Sequence, residues 1–158
     1  MNQCITDNKH QERIYLLYTR YTETFKPILA TVEAVLEEMP AAILNEIRSF
    51  TDHISRCYWP SSQDVDIESN LQQAERHLTR AERDCFKHLL VYHDECKHFA
   101  RDFRRVDLTL IADGEFYIKY KQMWKEAVNT TKLAKLKETS QTDEACELYE
   151  NAFNAWCA

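Results

Sequence analysis

Apolar residues recur every three or four positions along most of the chain, the spacing that gathers them on one face of an α-helix. After a polar opening expected to fray, Ile14, Leu17, Tyr18, Tyr21 and Phe25 form the first such series. Pro27 is expected to kink or break this helix, because its ring crowds the carbonyl four residues back and it has no N–H. The pattern resumes with Ile28, Val32, Val35, Leu36 and Met39. Pro40 then suits the first turn of a helix running to Trp59, with Ile43, Ile47, Phe50, Ile54 and Tyr58 on its core face. Pro60-Ser61-Ser62-Gln63-Asp64 is the clearest turn signal in the chain.

The most regular segment follows, from Asp66 to Arg105. Leu71, Ala74, Leu78, Ala81 and Cys85, then Tyr92, Cys96, Phe99 and Phe103, hold to helical spacing along it. Asp66 and Ser69 offer capping oxygens at its start, and Ala74 and Ala81 leave room for a close neighbour. Near Asp107 the pattern changes, and Leu108 to Ile111 lead to a turn at Asp113-Gly114. A helix rich in aromatics runs from Phe116 toward Lys137. Ser140 to Asp143 reads as a loop and cap before a short helix carrying Ala145, Leu148, Tyr149, Ala152, Phe153 and Trp156 on one side. These elements predict a single all-α domain over residues 1–158, a helical bundle of four to six helices. Its centre is a long antiparallel helix pair at about 40–105, followed by C-terminal helices at about 107–157.

Composition narrows the function more than it changes the fold. The chain has one glycine in 158 residues, where about ten would be ordinary. Phosphate-cradling loops and nucleophile elbows need residues that reach positive φ freely, so nucleotide-binding Gly-rich folds and α/β-hydrolases are excluded. A net charge of −6 argues against broad binding to duplex DNA or to an anionic membrane. Six cysteines without a CxxC pair, and no signal-peptide core, predict free thiols in a reducing cytoplasm. The Asn129-Thr130-Thr131 sequon is then irrelevant. No apolar run reaches the roughly 20 residues of a membrane span. His93, Cys96 and His98 do not share one helical face, so no metal is expected, nor any cofactor. Lys97, Arg101, Arg104 and Arg105 read as a favourable helix C-terminus, and Phe116, Tyr117, Tyr120 and Trp124 as core.

The candidate chemistry lies in two polar stripes of matching rhythm. Asn45, Arg48, Asp52 and Arg56 follow steps of three, four and four, with His53 at their edge; His77, Arg80, Asp84 and His88 repeat the same steps. If the Pro60 to Asp64 turn folds the helices antiparallel about position 66, Asp52 faces Arg80, Arg48 faces Asp84, and Arg56 faces Arg76 or His77. One reading makes these boundary salt bridges that fix register. The other notes that cations exceed carboxylates and gives the groove an anion, a phosphate or a nucleotide. In that case Arg48, Asp52, His53, Arg56, His77, Arg80, Asp84 and His88 are its ligand-binding residues.

Two resemblances add to this. Arg83-Asp84-Cys85-Phe86-Lys87-His88 resembles the Arg, polar, His motif of HEPN-domain ribonucleases, which are α-helical. That likeness implies metal-independent attack on a phosphodiester, with Arg83 and His88 as the catalytic pair. The order Asn45-Glu46-Ile47-Arg48, Asp52-His53, Arg56, then His77-Leu78, Arg80-Ala81, Asp84 is similar to a helical module of uncharacterised bacterial proteins, for which roles in phage defence are an expectation. It implies sensing or docking and no catalytic residue. The sequence is therefore read as a non-enzymatic regulatory or interaction module that self-associates through its Leu71 to Phe103 face or takes a helical protein partner. The alternatives are a sensor of a nucleotide or cyclic oligonucleotide, and a HEPN-like ribonuclease.

Overall fold

The structure, a computed structural model, describes residues 8–58, 66–95 and 107–157, and every regular element among them is helical. The all-α expectation holds. The order is α1 (Asn8–Arg20), a π-helical turn (Tyr21–Phe25), α2 (Lys26–Leu36), α3 (Ala41–Tyr58), α4 (Ile67–Glu95), a short 3₁₀ segment (Leu108–Gly114), α5 (Glu115–Lys137) and α6 (Thr142–Cys157). They gather into two compact units, Met1–Cys85 and Phe86–Ala158, so α4 begins in the first and ends in the second.

Pro27 does not break its helix. The residues flanking the π turn, Arg20 and Lys26, keep right-handed helical angles, and the Lys26 N–H donates to the Tyr21 carbonyl five residues back. Widening the turn ahead of the proline relieves the clash that a four-residue repeat would impose on its ring. The helix ends instead at Glu37, which sits at φ 55° with its N–H on the Glu33 carbonyl. That left-handed position is one glycine usually fills.

Within the first unit, α3 and α4 form the expected antiparallel pair. Ile43, Phe50, Ile54 and Cys57 of α3 and Leu71, Ala74, Leu78, Ala81 and Cys85 of α4 are buried. Asp66 caps α4, its carboxylate accepting from the Ser69 N–H at 3.0 Å. The α1 helix completes the core with Ile14 and Leu17, and Tyr21 stacks on Phe50 at 5.9 Å while Tyr18 meets it edge-on. Because Leu71 to Cys85 are consumed by this packing, that part of the anticipated self-association face is already covered within the chain. Phe99 and Phe103, its other end, lie outside the described residues, as do Pro60 to Asp64.

The second unit is organised by α5 and α6, joined through residues 138–141. Ala127 and Ala134 meet a face carrying Ala145, Cys146, Tyr149 and Ala152, and small side chains on both sides let the backbones approach. Phe86, at the start of the α4 segment in this unit, packs against Phe153 at 5.9 Å. The only glycine, Gly114, takes φ 88° as the N-cap of α5, following Ala112 and Asp113 at φ 47° and 52°. A positive-φ run of three residues is how the chain reverses into α5. Of the aromatics assigned to the core, Tyr117 and Tyr120 are half-buried, whereas Phe116 and Trp124 stay exposed.

Candidate functional site

The polar stripes do not meet as the sequence suggested. His53 and Asn70, joined at 2.9 Å, and Glu46 and His77, joined at 2.7 Å, share a midpoint at 61.5, with Cys57 and Ile67 at 62. The pairing is thus centred between four and five residues earlier than position 66, which shifts each partner by about two and a half turns. Asp52 does not reach Arg80 and Arg48 does not reach Asp84. On α3, Arg48, Asp52 and Arg56 are exposed, and at 100° per residue they lie about 180° from the buried Ile43, Phe50 and Ile54. The stripe on α4 is different, since it borders that helix's apolar face.

What α4 meets is Glu46. Its Oε2 accepts from Arg80 Nε at 3.0 Å and lies 2.7 Å from His77 Nδ1. The imidazole of His77 stacks on His53 at 5.2 Å and 22°, and His53 Nδ1 reaches Asn70 Oδ1. His77 and Arg80 therefore converge on one carboxylate that sequence reasoning passed over, with His53 stacked against His77, and Glu46 takes up part of the cationic charge of the α4 stripe. Asp84 binds Arg83 at 2.9 Å, and both are largely buried. Arg83 and His88 are five residues apart on one helix, about 140° around its axis. His88 is half-buried.

The other edge of α4 carries a ladder that the sequence reading did not see. Glu68, Glu75 and Glu82 recur every seven residues, as do Arg13 and Arg20 on α1. Arg13 binds Glu68 and, at 3.0 Å, Glu75; Arg20 binds Glu82 through Nε at 3.0 Å and through Nη2, and also reaches Thr79 Oγ1 at 3.1 Å. Arg13 to Glu75 and Arg20 to Glu82 both span 62 residues, so α1 and α4 run parallel in a fixed heptad register. These are the positions flanking the apolar seam that pair charges in coiled coils. Although burial works against the Arg13 charge, the two glutamates outweigh it and hold its pKa above the ordinary value. The signal was present as Arg-x6-Arg and Glu-x6-Glu-x6-Glu.

The second unit holds a cavity of about 490 Å³. The α5 helix lines it with Trp124, Val128, Thr131, Lys132 and Lys135, spaced four, three, one and three so that they share a face. The α4 segment adds Lys87, Leu90 and Val91; α6 adds Tyr149 and Trp156. Lys87 donates to Glu138 Oε1 at 2.6 Å, and the Tyr149 hydroxyl donates to its Oε2 at 3.2 Å. Glu138 thereby neutralises one lysine. Among the described residues, neither Lys132 nor Lys135 is paired with a carboxylate.

Among the described residues no group of three side chains is arranged to hold a metal ion, no helix is long and apolar enough to cross a membrane, and no buried side-chain polar atom lacks a partner. Cys96, His98, Lys97, Arg101, Arg104 and Arg105 lie outside them. The fold defines a helical protein of two compact units. No family model, no curated protein and no solved structure matches the chain.

Proposed function

We propose that the chain is a non-enzymatic helical binding module, whose first unit is a scaffold locked by charge pairs and whose second unit carries the working surface. The observation that supports this reading is the cavity. Among the described residues its walls are apolar and cationic with two hydroxyls, Thr131 and Tyr149, and carry no carboxylate, histidine, cysteine or serine. Its volume falls in the ordinary range for small-molecule sites. In the first unit, by contrast, Glu46, His53, His77, Arg80, Arg83 and Asp84 satisfy one another across or along helices. The pairs that cross from α3 to α4 set register. Ile118, Leu133 and Leu136 on α5 remain exposed and give the module a surface for a second copy or a helical partner.

A melting-temperature screen paired with an RNA-cleavage assay in EDTA tests the reading. The expected result is a ligand that raises the midpoint and no turnover of RNA. Cleavage that is lost in His88→Ala overturns it in favour of phosphodiester chemistry at Arg83 and His88.

A further inference from the structure

We propose that the cavity of the second unit takes a single-chain amphipathic anion, an acyl or similarly extended apolar body with one carboxylate head, bound as a free molecule. This rests on the reading of the chain as a binding module and names what the module binds.

The body is argued from the walls. Leu90, Val91, Val128, Trp124 and Trp156 offer carbon surface, and burying a hydrocarbon chain against it contributes about 25 cal/mol for each Å² removed from water. The wall hydroxyls are already committed, Thr131 Oγ1 donating to the Ala127 carbonyl and Tyr149 to Glu138. A nucleobase would bring several edge donors and acceptors into this apolar space, and each left unpaired costs more than its stacking returns. A nucleotide is therefore the poorer fit.

The head is argued from the lysines. Lys132 and Lys135 sit on the rim, three residues apart on one face of α5, both exposed. Two ammonium groups favour a carboxylate and disfavour a cationic head on the same tail. They are point charges without the bidentate fork that an arginine would bring to a polyphosphate. Lys87 differs, because Glu138 already answers its charge.

Trp124 and Trp156 make the test direct, since a ligand between them changes the intrinsic fluorescence. The full chain is titrated below micellar concentrations with dodecanoate, with dodecyltrimethylammonium and with ATP. The expected result is a saturable change with dodecanoate and binding about tenfold weaker for the cationic head. Lys132→Glu with Lys135→Glu should weaken dodecanoate by a similar factor with the circular dichroism unchanged, both sites being exposed. Val128→Trp should block the site by filling it. Equal affinity for the two heads, or no saturable binding of dodecanoate, overturns the proposal. Binding of ATP alone overturns this ligand class and leaves the binding-module reading standing, whereas RNA cleavage in EDTA strikes at that reading itself. Co-sedimentation of the protein with phosphatidylglycerol vesicles, if it replaces binding of the free acid, also overturns the proposal by moving the anion to a membrane surface.

Discussion

Arg20 on α1 and Glu82 on α4 form a two-pronged ion pair whose carboxylate is almost wholly buried, the glutamate side chain being 5% exposed and the arginine 33%. Thr79, itself buried, accepts a third bond from the same guanidinium. A carboxylate removed from water at such a position is tolerable only while its cation is present. The pair therefore selects which turn of α1 lies against which turn of α4, and the exposed Arg13 pairs one heptad earlier repeat the register weakly.

Arg20→Ala is expected to destabilise the protein by about 3 kcal/mol, since it strands the Glu82 charge. Replacing both partners, as Arg20→Met with Glu82→Leu, should recover most of that loss by exchanging the pair for apolar packing. Urea unfolding followed by circular dichroism measures both. A single-variant loss below about 0.5 kcal/mol would place this pair with ordinary surface bridges.

The hairpin itself allows a sharper contrast. Glu46→Ala leaves His77 and Arg80 facing each other without their shared carboxylate and is expected to cost about 1–2 kcal/mol. Asp52→Ala and Arg48→Ala should change stability by less than about 0.5 kcal/mol, because both face solvent on the far side of α3. The reverse order, with Asp52 mattering and Glu46 not, would mean that the helices pair about position 66 after all.

That contrast also marks what was legible. The helices, the cap at Asp66 and the turn at Asp113-Gly114 follow from local spacing and local chemistry, so they could be read directly. The register of α3 on α4 could not, because a turn signal of five residues constrains the pairing only to within roughly two or three turns. The helical wheel did contain the correction. With Ile43, Phe50 and Ile54 inward, Arg48, Asp52 and Arg56 must point out, while Glu46 and His53 stand at the edge. The heptads of Arg13 and Arg20 against Glu68, Glu75 and Glu82 were visible too, but only to a search for charges seven apart on different helices. The cavity was least accessible, since it needs three helix segments brought together by packing. Its one local trace is the shared face of Trp124, Val128, Thr131, Lys132 and Lys135.

Glu37 gives a prediction of opposite sign. It ends α2 at φ 55°, where a Cβ crowds the backbone at a cost of about 1–2 kcal/mol. Glu37→Gly removes that strain and adds freedom to the unfolded chain, for a net stabilisation of about 0.5–1 kcal/mol. The matching change at another left-handed site, Gly114→Ala, meets only the Thr109 carbonyl at an ordinary 3.5 Å. It should therefore destabilise through backbone strain alone, by about 1–2 kcal/mol. Thermal melts of the two variants should move in opposite directions.

Alkaline pH should weaken the first unit. Burial pushes the Cys57 thiol above its ordinary pKa, and burial, with Tyr58 and Tyr21 nearby, does the same for the Tyr18 phenol. In the unfolded chain these groups release their protons near the usual values, about 8.5 for a thiol and about 10 for a phenol. The native state holds its protons longer. From about pH 8.5 upward the unfolded state thus binds fewer protons than the native one, and stability falls as pH rises until the folded pKa values are passed. Below that window both states are protonated at these two groups, which then contribute no slope. Urea midpoints measured under reducing conditions from neutral pH to about pH 10.5 should decline, and Cys57→Ala should flatten the earlier part of the decline while lowering stability throughout. Tyr18→Phe should flatten the later part, above about pH 10. A Cys57→Ala profile parallel to that of the unmodified chain would show that the thiol titrates alike in both states and that its burial does not reach the protonation equilibrium.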